Sequence, residues 1–168
     1  LLMDAFNILL EEDIFRTNPQ ALEKLTGWVN ARDAGRQPAA MYAMGSLLLA
    51  KDDLAGAVKM AEDGLSKYPQ SLPVQTLSLN TITTLLDKNR VEDAERLISK
   101  YPGTSPGLVF QQGALAFRKG DYPLAQSLFR EAARRASEKT AESALFNENL
   151  AALNANDAAG AAALVKEA

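Results

Sequence analysis

Apolar residues recur along the chain at spacings of three and four, in segments of 10–16 residues separated by glycine and proline. This is the period of one helix face, whereas the alternating runs that indicate strands are few. The pattern predicts an all-α fold in one domain over residues 1–168. The predicted helices are 2–16, 19–33, 38–51, 54–67, 73–88, 91–100, 106–119, 122–136, 139–154 and 157–167.

Capping residues mark the starts of several predicted helices. Asn18 and Ser105 each precede a proline that would occupy the first helical position. Asp53, Asp121 and Asp157 are placed to cap the helices that follow them. Because the connections are short, we expect consecutive helices to pack as antiparallel pairs.

A repeat is visible in two of these pairs. LAKDDLAGAVKMAEDG at 49–64 is a faint copy of FRKGDYPLAQSLFREA at 117–132, and Gly45 and Gly113 are 68 residues apart, as are Ala57 and Ala125. Sixty-eight is twice 34, and a helix–turn–helix unit of 34 residues is the period of the tetratricopeptide repeat.

The segment 106–137 resembles the tetratricopeptide repeat family most closely, and 38–69 resembles it next. The residues that carry the resemblance in the better segment are Gly113, Gly120, Asp121, Tyr122, Ala125, Phe129 and Ala132. Those in the other segment are Gly45, Leu54, Ala57, Gly64 and Pro69. The resemblance implies a right-handed α-solenoid of about ten helices in antiparallel pairs.

Three further units depart from the pattern. Residues 1–36 form a divergent unit with only Ala21 and Trp28 in place. The unit 72–102 is irregular, because the position of Ala94 indicates a second helix shorter by one turn and a first helix longer by one turn. The terminal unit, 139–168, is truncated and matches through Asn156, Asp157, Ala161, Val165 and Ala168.

The small residues of this pattern are expected to allow close helix packing and tight turns. We expect Gly45 and Gly113 to let the paired helix approach closely, and Ala57 and Ala125 to do the same from the other side. Gly120 is expected to break one helix in a conformation that side chains resist, before Asp121 caps the next.

The resemblance also implies a partner-binding groove lined by the first helices. The fifth and twelfth residues of each repeat form an apolar track in it, and Arg118 lies at its edge to pair with an acidic group. The residues of this track are Tyr42, Leu49, Leu79, Leu86, Phe110, Phe117, Phe146 and Leu153. The alternative is that some of them are core residues, or that the amphipathic N-terminal helix with Phe6, Leu9 and Leu10 folds over them.

The amino-acid composition limits the kinds of partner and of chemical site that the chain can have. The chain has 18 basic and 21 acidic residues, a net charge of −3, no histidine and no cysteine. Nucleic acid is not expected as a partner, because phosphate contacts need a concentrated basic face. Disulfides and thiolate metal sites are excluded, and the commonest general base is missing. We expect that the protein is not an enzyme and that it binds no cofactor or metal. We interpret two charged clusters as solvated helix faces, namely Glu11-Glu12-Asp13 and the group of Arg130, Arg134 and Arg135.

The expected function is that of a scaffold or adaptor whose partner is another protein, bound as a peptide, a helix or a folded domain. The alternative is self-association, or a spacer within a larger envelope protein such as those of secretion, pilus or exopolysaccharide machines. The longest apolar stretch, 42–50, is too short to span a membrane. We expect the chain to be part of a longer protein, and a periplasmic or membrane-associated setting is slightly favoured over the cytoplasm.

Overall fold

The computed structural model describes residues 2–31, 33, 35–136 and 138–155. In that part of the chain every regular element is a helix and no strand occurs, which confirms the predicted all-α class. The helices are α1 (Leu2–Glu11), α2 (Ile14–Thr17), α3 (Pro19–Asn30), α4 (Gln37–Ala50), α5 (Leu54–Lys67), α6 (Leu72–Asp87), α7 (Val91–Lys100), α8 (Pro106–Arg118), α9 (Tyr122–Arg135) and α10 (Glu138–Asn154). The predicted helix 157–167 and the repeat residues Asn156, Asp157, Ala161, Val165 and Ala168 lie outside the described residues.

Two helices begin at a capping side chain followed by proline, as predicted. Asn18 Oδ1 accepts hydrogen bonds from the backbone N–H groups of Gln20 and Ala21 at 3.0 and 3.2 Å. Ser105 Oγ accepts one from the Leu108 N–H at 3.2 Å. These bonds satisfy N–H groups that have no partner within the helix, so they fix where α3 and α8 start.

The α4–α5 and α8–α9 turns share one geometry. Asp52 and Gly120 adopt left-handed conformations with φ of 61° and 79°, and each is followed by an aspartate, Asp53 or Asp121, whose side chain caps the next helix. The N–H of that aspartate donates to a carbonyl five residues earlier, at 2.9 Å in the first turn and 3.0 Å in the second. This is the closing bond of a Schellman turn. The two copies therefore agree in backbone geometry as well as in sequence.

The irregular unit has the shortened second helix that its sequence indicated, and its first helix is lengthened by less than the expected turn. Its first helix, α6, has 16 residues, and its second, α7, has 10. The second helices α5 and α9 of the regular units each have 14. The first helices α4 and α8 have 14 and 13 residues, so α6 is longer by two to three residues, whereas α7 is shorter by about one turn.

The predicted helix 2–16 is wrong, because the chain breaks between α1 and α2. Asp13 adopts φ 56°, a left-handed conformation that cannot continue an α-helix. The apolar pattern continues across the break because Phe15 is buried beside Phe6, with 6.1 Å between ring centroids. The apolar periodicity indicated which residues are buried, but it did not indicate that the chain changes direction at Asp13.

The described chain divides into two compact units. Of the described residues, those up to Leu85 and Ser99–Pro102 form the first unit, and Leu86–Ile98 and those from Gly103 onwards form the second. The single tetratricopeptide-like domain stays a prediction.

In the first unit α1 and α3 pack against α4. Their core includes Phe6 and Leu25, and the Phe6 ring meets Trp28 edge to face with centroids 5.9 Å apart. A buried polar side chain ties three helix ends together. Gln37 Nε2 donates to the Val29 carbonyl at 2.6 Å, and the Tyr68 hydroxyl donates to Gln37 Oε1. Hence the start of α4 is bonded to the ends of both α3 and α5.

Gly45 allows another helix to approach closely, but that helix is not the one that was expected. A Cβ at this position would overlap the side chain of Leu77 on α6, whereas the paired helix of α4 is α5. The expectation that Gly45 accommodates its own pair is therefore corrected: this glycine makes room for the helix that follows the pair.

In the second unit α9 packs against both α8 and α10. Gly113 of α8 lies against the ring of Phe129, where a Cβ would come within 2.9 Å of Cδ1, as expected for a close approach of the paired helix. Phe129 is 1% exposed. Four alanines of the repeat pattern, in both units, have no exposed surface, namely Ala57, Ala94, Ala125 and Ala132. Pro69, after α5, is exposed.

Candidate functional site

Two residues of the predicted track are buried in the structure. Tyr42 is 8% exposed, and its hydroxyl donates to Asn7 Oδ1 on α1 at 2.8 Å. Because α1 packs against α4, Tyr42 belongs to a helix interface and offers little surface to a partner. Leu86 is 3% exposed. Leu49 and Leu79 are half-buried.

Among the described residues, four exposed large apolar side chains lie on α10, and three of them share one face of the helix. Phe146 is 69% exposed, Leu153 59% and Leu150 37%. Their spacing of four and three residues places them within roughly 60° of one another around the helix axis. The opposite face is in the core, where Ala144 and Ala151 have no exposed surface. α10 is therefore apolar on both faces, although only one of them is packed.

A second, half-buried ridge runs along α8 and consists of Phe110, Ala114 and Phe117. The ring centroids of Phe110 and Phe129 are 5.3 Å apart. These ridge residues pack against a core cluster that also contains Ala151 of α10. The ridge of α8 and the helix α10 thus border the same core.

We define the α8/α10 surface as Phe110, Phe117, Phe146, Leu150 and Leu153. It combines the track residues of these two helices with Leu150, which lies between Phe146 and Leu153 on the exposed face of α10. The ring of Phe117 is held edge to face by Tyr122, with centroids 5.3 Å apart. The aromatic side chains on α8 are therefore held in place before any partner arrives.

Charged side chains flank this surface at its two ends. Arg118 is the last residue of α8, and its Nη2 lies 3.9 Å from Asp87 Oδ1, at the outer limit of an ion pair. Glu142 is exposed near the start of α10, four residues before Phe146, and none of the side chains that the structure describes forms an ion pair with it. Since α8 and α10 each form a hairpin with α9, they run in about the same direction. Arg118 and Glu142 therefore mark opposite ends.

An ion pair with a buried carboxylate joins α9 to α10, and it was not predicted from the sequence. Glu148 is 1% exposed and its Oε1 accepts a hydrogen bond from Arg130 Nε at 2.7 Å. Its Oε2 is buried without a partner. The Arg130 side chain is 45% exposed, as expected for a solvated face, but it also compensates a buried charge. Only the position of Glu148 among the buried residues Ala144, Ala151 and Ala152 could have indicated this.

No group of three or more carboxylates that could hold a metal ion occurs among the described residues. Within the same ranges, no helix combines the length and the apolar character that crossing a membrane demands.

Comparisons with known proteins bear on the fold. No family model and no curated protein matches the chain. Among solved structures, the crystal structure of BtubC (BKLC) from P. vanneervenii is similar, with a TM-score of 0.74 over 96% of this chain and 74% of that chain. The two sequences are 16% identical. This likeness concerns the fold alone.

Proposed function

We propose that the chain is a binding module that holds a segment of another protein on the α8/α10 surface. The observation that carries the proposal is the exposure of Phe146 and Leu153, 69% and 59%, on one face of one helix. Single exposed apolar side chains are ordinary in soluble proteins, but a contiguous apolar patch marks an interaction site more often than chance.

The composition of the surface supports this function. Interface hot spots are enriched in large aromatic side chains held in a defined position. Phe110 and Phe117 are such residues, because Phe129 and Tyr122 constrain their rings. Phe146 projects further and can insert into a partner. The proposed activity is therefore binding without a reaction.

The proposed architecture is a right-handed α-solenoid of the tetratricopeptide type. The matching turns at Asp52–Asp53 and Gly120–Asp121 support it, as do the contact of Gly113 with Phe129 and the buried alanines of the repeat pattern. Proteins of this architecture commonly present first helices such as α8 and α10 to their partners.

Affinity capture with matched variants tests the proposal. The wild-type chain serves as bait in an extract of its own source, and the proteins retained are compared with those retained by Phe146→Ser combined with Leu153→Ser. Leu72→Ser is the control, since Leu72 is 68% exposed but lies on α6. We expect the double variant to lose a partner that the control retains. A partner retained equally by all three baits would contradict the proposal.

Self-association is the second candidate function. A ridge of residues at i, i+4 and i+7 on an exposed helix can pack against the same ridge of a second copy about a twofold axis. Light scattering at increasing protein concentration distinguishes the two functions. A dimer that Phe146→Ser abolishes would favour self-association, whereas a monomer at all concentrations would favour a different partner.

A further inference from the structure

The charges at the two ends of the α8/α10 surface constrain what can bind there. From them we infer that the partner segment is an amphipathic helix running antiparallel to α8 and α10, with acidic residues in its first turn facing Arg118 and basic residues in its last turn facing Glu142. This inference rests on the proposed function and specifies the occupant of its site.

The shape of the surface favours a helix. The ridges of α8 and α10 each extend over eight residues, from Phe110 to Phe117 and from Phe146 to Leu153, so each is about 10 Å long. Because α8 and α10 run in about the same direction, a third helix can lay its apolar face along both ridges with side chains at positions i, i+3 or i+4, and i+7. An extended segment would cross the same length in about three residues and use fewer apolar side chains.

Arg118 provides the cation at one end. Its pair with Asp87 is long, at 3.9 Å, and the two side chains are 42% and 70% exposed, so little is lost when a partner carboxylate takes the place of Asp87. The adjacent Lys119 differs, because its Nζ bonds Glu95 Oε1 at 2.6 Å. Of these two cations at the end of α8, Arg118 is therefore the one poised for a partner, and its guanidinium can hold a carboxylate with two hydrogen bonds.

Glu142 provides the anion at the other end. It lies on the same face of α10 as Phe146, one helical turn before it, so a partner that covers Phe146 also passes Glu142. A basic side chain in the last turn of the partner helix pairs with this carboxylate.

Helix electrostatics select the antiparallel direction. Acidic residues are favourable in the first turn of a helix and basic residues in the last turn, because they complement its macrodipole. A partner helix with this ordinary charge distribution meets Arg118 with its first turn and Glu142 with its last only when it runs against α8 and α10. The reverse direction would place like charges together at both ends.

Selection from a phage-displayed peptide library tests the inference. The library contains peptides of about 16 residues, enough for roughly four helical turns. The full chain is used as bait in four forms: wild type, Arg118→Glu, Glu142→Arg and the double swap, each first shown to have unchanged helicity by circular dichroism. We expect wild type to select apolar residues at helical spacing with acids before them and bases after them.

The charge variants provide the discriminating outcomes. Arg118→Glu should replace the selected acids by bases, Glu142→Arg should replace the bases by acids, and the double swap should invert the order. Each single reversal should weaken a wild-type peptide on the order of three- to tenfold at low salt. If all baits selected apolar peptides with the same order of acidic and basic residues, or with no such order, the inference would be overturned and the proposed function would still hold. Selection of no apolar peptide by any bait would contradict both.

Discussion

The ring of Phe129 on α9 packs directly on the backbone of Gly113 on α8. A Cβ added to Gly113 would lie 2.9 Å from both Cδ1 and Cε1 of that ring, closer than carbon atoms approach without displacement. Phe129 is 1% exposed, so its ring has no empty space to enter. This contact sets how closely the two helices of the most regular repeat approach.

Gly113→Ala should therefore destabilise the chain, although alanine is the better helix former by about 1 kcal/mol. Overpacking against Phe129 costs about 1–3 kcal/mol, and we expect a net loss of stability. Gly27→Ala is the matched control, because Gly27 lies within α3 and nothing is found within 4 Å of its would-be Cβ. The measurement is the midpoint of urea unfolding, which should fall for Gly113→Ala and rise for Gly27→Ala. A rise in both would show that the crossing can relax.

Gly120→Val should destabilise by at least about 1 kcal/mol, because β-branched residues resist a positive φ. Gly120 has φ 79° and open space around its would-be Cβ, so the effect isolates backbone strain from packing. Gly120→Asn is the control and should lose much less, since Asn89 adopts φ 57° in the α6–α7 turn. Equal melting temperatures for the two variants would contradict this account of the turn.

Helix positions and turns were the features best predicted from the sequence. Helix caps and turns depend on contacts between residues that are close in the sequence, so they can be predicted from it. Examples are the caps at Asp53 and Asp121 and the helix-breaking Gly120. The apolar surface on α10 was partly predicted, because the repeat pattern placed Phe146 and Leu153 at groove positions.

Features that depend on tertiary contacts were not predictable in the same way. The burial of Tyr42 requires knowing that α1 packs on α4, and the pairing of Arg130 with Glu148 joins two helices. The close contact of Gly45 proved to be with Leu77, which is remote in the sequence. The break at Asp13 was missed because apolar residues on both sides face one core.

Arg130→Ala should destabilise the packing of α10 on α9. It leaves the carboxylate of Glu148, which is 1% exposed, without its hydrogen-bond donor. The expected cost is about 1–3 kcal/mol, because an unpaired buried group keeps its desolvation penalty. Glu148→Gln in the same chain removes the charge and should recover part of the loss. An Arg130→Ala unfolding midpoint equal to that of wild type would show that water replaces the arginine.

Lys59→Ala is the control for that variant. Lys59 Nζ donates to Asp63 at 2.7 Å, and that carboxylate raises the pKa of Lys59. The pair is exposed, with side chains 75% and 48% accessible, so its loss should leave the unfolding midpoint unchanged.

Tyr68→Phe should cost about 0.5–1.5 kcal/mol, because it removes the hydrogen bond from the Tyr68 hydroxyl to Gln37, which is 6% exposed. Tyr122→Phe is the control, since the role of Tyr122 is the ring contact with Phe117, and phenylalanine retains it. Thermal unfolding followed by circular dichroism measures both. A larger loss for Tyr122→Phe would mean that the Tyr122 hydroxyl, and not only its ring, supports the α8/α10 surface.

Methyl NMR can show directly whether a partner docks on the α8/α10 surface. The chain is labelled at its leucine methyl groups and titrated with the captured partner or with a selected peptide. We expect shifted or broadened methyl signals for Leu150 and Leu153. The signals of Leu72 and Leu124 should stay unchanged, although these side chains are 68% and 48% exposed. Saturable binding that shifts Leu72 or Leu124 and leaves Leu150 and Leu153 unchanged would contradict docking on the α8/α10 surface.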